Sequence, residues 1–72
     1  MEQLRVFQER LLLARRRRGM SQAALATQTA LFTTDISKYE CGRSLPTLPR
    51  VIRLADALAV STDYLLGRCD AD

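Results

Sequence analysis

A chain of 72 residues makes one domain, and at this length only about 60% of the unfolded surface is buried, so the core is thin. Apolar content is 47%, rich in the helix formers Leu and Ala, while strand-favouring β-branched and aromatic residues are scattered singly, which favours an all-α fold over a sheet-based one. The net charge is +3 and histidine and CxxC pairs are absent, which argues against zinc, haem and any other metal or cofactor site.

The first helix is expected from about Glu2 to Arg18, with Leu4, Phe7, Leu11, Ala14 and Arg18 at helical spacing on one face. Arg16 to Arg18 occupy its last turn, where positive charge complements the helix dipole, and Gly19 is a C-terminal stop. Ser21 caps a second segment from Gln22 to about Gln28, whose Ala23, Ala24, Leu25 and Ala26 make it thin enough for close approach to another helix. After a break at Thr29 to Phe32, a third segment from Thr33 to Glu40 buries Ile36 and Tyr39 and ends at Cys41-Gly42. Thr47 caps a fourth helix with Pro49 in its first turn and an apolar stripe of Leu48, Val51, Ile52, Ala55, Leu58 and Ala59. Ser61 caps a last short helix that Gly67 closes, and residues 68–72 read as a tail to a domain of residues 1–67. Five short helices with brief loops make a compact bundle.

The informative stretch is SQAALATQTALFTTDISKYE, from Ser21 to Glu40. Two short helices joined by a tight turn cross steeply, so the first needs a small residue at the contact, and Ala26 supplies it. Leu25 before the turn, Leu31 within it, and Ile36 and Tyr39 after it are the apolar anchors. That spacing matches a helix-turn-helix unit, whose second helix can enter the major groove of DNA.

Within this stretch and on either side of it, Gly19, Ser21-Gln22, Leu25-Ala26, Ile36-Ser37, Tyr39-Glu40, Gly42, Pro46, Leu54-Ala55, Ala57-Leu58, Val60-Ser61 and Tyr64 to Gly67 stand in the order and spacing of a known family. From about Phe7 to Gly67 the chain resembles the phage-repressor and Cro type of helix-turn-helix domain, a five-helix bundle. The resemblance implies that Gln22, at the start of the second helix, bonds a DNA phosphate and braces the third; helix N-termini suit that role because their free amides point outward. It implies that Thr33, Thr34, Ser37 and Lys38 face the groove and that Arg43 holds the DNA backbone. Threonine can bond either base type or lay its methyl on thymine, and lysine favours guanine acceptors. It also implies that Arg15 pairs with Glu40. The bland alternatives are a polar residue after a cap for Gln22, solvent-facing filler for the threonines, and a phosphate contact for Lys38.

The chain departs from that pattern at several places. Ala30 stands where glycine is usual in the turn, Thr29 replaces an apolar anchor, and Phe32 occupies the capping position without being able to cap, so Thr33 or Thr34 is expected to cap instead. Asp35 can stabilise the first helical turn or accept from cytosine. Cys41 replaces a common asparagine, which implies one missing backbone hydrogen bond. Val6 and Leu13, seven residues apart and off the main face of the first helix, form either a partner surface or a seat for the tail and loops.

These observations lead to a sequence-specific, double-stranded-DNA-binding transcriptional regulator, a repressor acting as a homodimer. The alternative is a protein-interaction module, such as an antitoxin-type protein, with a protein as its main partner. An enzyme is not expected, since the carboxylates are spread out and no nucleophile has a base at useful spacing. No apolar stretch of signal-peptide type follows Met1 and no run is long enough to cross a bilayer, so the expected location is the cytoplasm.

Overall fold

A computed structural model describes residues 2–70, with side chains from Leu4 onward. Met1, Ala71 and Asp72, which the sequence reading assigns to the domain's start and its tail, lie outside the described residues. Five helices follow one another: α1 (Glu2–Arg17), α2 (Gln22–Thr29), α3 (Thr33–Glu40), α4 (Leu48–Leu58) and α5 (Thr62–Leu65). The expected order holds throughout, and the bounds of α3 coincide with those read from the sequence.

Three of the four junctions between these helices are built alike. A residue in the left-handed region ends one helix, a half-buried apolar residue plugs into the core, and an extended residue opens the next helix. The triplets are Gly19-Met20-Ser21, Ala30-Leu31-Phe32 and Ala59-Val60-Ser61. In each, the amide of the plug reaches back to close the preceding helix: Met20 to the Arg15 carbonyl at 3.1 Å, Leu31 to Ala26 at 2.9 Å, Val60 to Ala55 at 3.0 Å. This is the six-to-one bond by which a helix end satisfies its orphan carbonyls. Glycine adopts the left-handed conformation without strain, whereas Ala30 and Ala59 take it at φ 58° against the clash of their Cβ atoms.

The core lies where all five helices converge. Phe7 and Leu11 of α1, Leu25 of α2, Ile36 of α3, Leu54 and Leu58 of α4 and Leu65 of α5 are fully buried. Phe7 meets Tyr39 edge to face, with ring centroids 6.4 Å apart. On α4 the expected stripe is corrected. Val51, Leu54, Ala55 and Leu58 form the buried face, while Leu48 and Ile52 are 63% and 46% exposed and Ala59 is the exposed left-handed residue. The core face is centred between Leu54 and Leu58, which turns Leu48 and Ile52 to its edge.

The segment read as a tail is folded back as far as it is described. Arg10 of α1 lies 4.6 Å above the Tyr64 ring and donates to the Tyr64 carbonyl at 2.8 Å, to the Cys69 carbonyl, and to Asp70 Oδ1 at 3.1 Å. Gly67 completes that closure: at φ +78° it sits against Val6, and a Cβ there would stand 2.6 Å from Val6 Cγ1. Of the two residues read as a possible stripe, Val6 is therefore a seat for the C-terminal closure, and Leu13 alone remains 43% exposed.

Candidate nucleic-acid interface

At about 100° per residue, Thr33, Thr34, Ser37, Lys38 and Cys41 fall within an arc of roughly 140° on α3, with Ile36 and Tyr39 on the opposite side and Glu40 at the boundary beside Thr33. The burial follows that division. Ile36, Tyr39 and Glu40 are buried; Thr33, Thr34 and Lys38 are exposed, and Ser37 is half-buried. Arg43 is exposed just beyond the helix, after Gly42 has turned the chain at φ +76°. A Cβ at Gly42 would stand 2.5 Å from Gln8 Oε1 of α1, so the end of that flexible side chain would have to shift, and the positive φ itself favours glycine. The helix closes on backbone bonds from Gly42 to Tyr39 and from Arg43 to Lys38, at 3.4 and 2.9 Å. Cys41 is exposed and donates its amide to Ser37 at 2.9 Å.

The buried side of α3 is clamped. Glu40, 5% exposed at its side chain, accepts from Arg15 Nε at 2.6 Å and Arg15 Nη2 at 3.0 Å, and the remaining Arg15 nitrogen donates to the Met20 carbonyl at 2.8 Å. The pair implied by the family resemblance is thus present, and it ties α1, the first junction and α3 together. The bond to Glu40 holds the Arg15 guanidinium above its ordinary pKa, against the opposing effect of burial. Gln22 joins the same carboxylate, its Nε2 donating to Glu40 Oε1 at 3.0 Å. That contact sets the amide's orientation, since only its nitrogen side can donate to a carboxylate, and it leaves one N–H of the amide for a further acceptor.

Two arginines of α4 hold the other flank. Arg50 donates to the Tyr39 hydroxyl at 2.9 Å and lies 3.9 Å from Asp35. The bonded hydroxyl first, and Asp35 after it, raise the Arg50 pKa. Arg53 donates to the Thr29 carbonyl at 3.1 Å, satisfying the C-terminal end of α2. Neither role is visible in the sequence, where both residues read only as positive charge; they depend on how α4 crosses the α2–α3 corner.

Thr29 is buried where an apolar anchor is usual, because its hydroxyl donates to the Leu25 and Ala26 carbonyls at 2.7 and 3.2 Å and needs no solvent. Phe32 is itself the residue that opens α3, 77% exposed. Neither Thr33 nor Thr34 caps, which corrects the expectation. Asp35 instead turns its carboxylate back to accept the Phe32 amide at 3.3 Å. With that bond and Arg50 beside it, Asp35 serves the helix start and the α4 contact. An acidic residue three positions after a cap was the available signal.

Among the described residues, no group of three or more His, Cys, Asp or Glu side chains is placed to hold a metal, and no helix is long and apolar enough to cross a membrane.

With this geometry in place, the pattern of the helix-turn-helix domain matches residues 4–65. The chain belongs to the helix-turn-helix domain family. It is 39% identical over 64 residues to the cryptic phage CTXphi transcriptional repressor RstR of Vibrio cholerae, covering 89% of this chain and 57% of that protein. It is 38% identical over 61 residues to an SPbeta prophage-derived helix-turn-helix transcriptional regulator, YonR, of Bacillus subtilis, covering 85% of this chain and 56% of that one. The chain therefore spans little more than half the length of these relatives. Among solved structures, it superposes with a TM-score of 0.84 on a hypothetical transcription factor from Neisseria, at 33% identity over 89% of this chain and 74% of that chain. It superposes equally well, at 0.84, on the restriction-modification controller protein C.AhdI of Aeromonas hydrophila, at 29% identity over 90% of this chain and 98% of that one. In this helix-turn-helix domain, α2 and α3 are the two helices of the motif.

Proposed function

We propose that this chain is a sequence-specific transcriptional regulator, a cytoplasmic repressor that binds duplex DNA as a homodimer with α3 in the major groove. The observation that carries the reading is the two-sidedness of α3. Its inner side is bound to three other helices through Glu40, Tyr39 and Ile36, while Thr33, Thr34, Ser37 and Lys38 face outward with no structural duty that would hold them back. Gln22 and Arg43 flank that face and supply phosphate contacts, which set register, while the α3 side chains supply base contacts. The name of the Vibrio phage relative, a transcriptional repressor, supports a repressor role, and that of the Bacillus prophage relative supports transcriptional regulation.

One such domain reads few base pairs, so two copies on half-sites about 34–36 Å apart is the natural arrangement. Exposed Leu48 and Ile52, one turn apart on α4, and Leu45 before them, 46% exposed, offer an apolar face to a second copy. Leu13 on α1 is the surface that favours the second reading, an antitoxin-type module with a protein partner.

Selection from a randomised duplex library at physiological salt separates these. A palindrome enriched over scrambled DNA is the expected result. Binding without enrichment would reduce α3 to a backbone contact, and no binding to any duplex would leave the protein-partner reading.

A further inference from the structure

We infer that Phe32 reads sequence, its ring packing on the 5-methyl group of a thymine in the major groove at the start of α3. This rests on the DNA-binding reading above and names a base contact for it.

The chain contains its own controls. At the two other junctions of the same build, the residue opening the helix is a serine whose hydroxyl accepts the amide three residues on: Ser21 from Ala24 and Ser61 from Tyr64, both at 3.0 Å. At the same place in the α2–α3 junction stands Phe32, which cannot accept a hydrogen bond and leaves 77% of its surface in water, the most of the large exposed apolar side chains. Local stability favours serine there, so the choice answers to something outside the folded monomer. Asp35 takes over part of the capping from below, bonding the Phe32 amide and leaving the ring to project.

The ring belongs to a different surface from the exposed leucine and isoleucine of α4. Arg50 faces α3, and at about 100° per residue Leu48 and Ile52 lie on the far side of that helix, roughly 160–200° away. The first residues of a recognition helix are those that meet base edges. A phenyl ring offers neither donor nor acceptor to a phosphate or a polar base edge. The apolar group on the major-groove edge is the thymine C5-methyl, which Phe can contact. The exposed Thr33 and Thr34 beside it carry methyl groups that can complete the pocket.

The test uses the duplex selected by the wild-type chain, with each thymine in turn replaced by deoxyuracil, which removes the methyl and keeps every hydrogen-bonding group. Wild type, Phe32→Ser and Phe32→Leu are compared for affinity and melting temperature. One thymine per half-site is expected to matter to wild type, by about three- to five-fold per methyl from the burial of one such group. Phe32→Ser should melt no lower than wild type, since it restores the cap seen at Ser21 and Ser61, yet bind more weakly and lose the response to deoxyuracil at that position. Phe32→Leu should keep most of the response. A wild type indifferent to every deoxyuracil, or a Phe32→Ser variant that keeps the same response, overturns the inference while leaving sequence-specific binding intact. A wild type that binds no duplex at all overturns the DNA-binding reading itself, and one that binds without selecting a sequence overturns base reading by α3, this inference included.

Discussion

The α2–α3 and α4–α5 junctions are nearly the same piece of backbone serving two purposes. Each follows a helix closed by an alanine at φ 58°, plugs an apolar residue into the core, and opens the next helix from an extended residue. At α4–α5 that residue is Ser61, capping its helix by its own hydroxyl. At α2–α3 it is Phe32, and the support is spread over Asp35, Arg50, Arg53 and the Arg15–Glu40–Gln22 cluster. The difference teaches that the α4–α5 junction is stabilised locally, while the α2–α3 junction is stabilised by its neighbours so that its outer residues are released from structural work.

The largest effect should come from removing that outside support. Glu40→Ala leaves Arg15, 13% exposed at its side chain, without its partner; breaking such a pair from one side costs about 3–5 kcal/mol, and a thermal melt followed by circular dichroism should shift down by more than roughly 10 °C. An unchanged melting point would mean that the α2–α3 corner stands without the clamp.

Next in size is the effect on recognition. Lys38→Ala should cost about 1–3 kcal/mol of discrimination between the selected duplex and its variants, with helicity unchanged, whereas Gln22→Ala should weaken all duplexes alike. Equal loss on every sequence for Lys38→Ala would reassign that side chain to phosphate.

Swapping the two opening residues sharpens the comparison directly. Ser61→Phe removes a cap that no neighbour replaces and should destabilise by about 1 kcal/mol, read as a lower denaturation midpoint in urea. If Ser61→Phe is silent, the serine cap contributes little to the α4–α5 junction. The smallest effects belong to the shared alanines. Ala30→Gly and Ala59→Gly should each stabilise by about 0.5–1 kcal/mol, because glycine holds the left-handed conformation without a Cβ clash. Unequal gains would show that the two junctions differ in backbone strain as well as in capping.

Much of this was legible in advance for local reasons. Helix identity, order and most ends follow from apolar spacing, from Ser21 and Ser61 as caps and from Gly19 and Gly67 as stops, all features that act within a few residues. The outward set on α3 was legible too, because placing Ile36 and Tyr39 in the core leaves Thr33, Thr34, Ser37 and Lys38 on the other side. By contrast, Leu48 and Ile52 carry the same apolar signal as Val51 and Leu58, and only the line along which α4 meets the bundle sends them to the surface.

By itself, then, the sequence determined an all-α chain of five helices and which residues of α3 look outward, because periodicity and capping are short-range. Apart from the Arg15–Glu40 pair, which the family resemblance implied, the charges that became supports were decided by the tertiary structure. Arg50 and Arg53 reach Tyr39 and Thr29 across 11 and 24 positions of the chain, and Arg10 reaches the Cys69 carbonyl across 59. Each of these bonds requires two helices to be placed first, and no local pattern of residues encodes where a long, flexible guanidinium will find its acceptor.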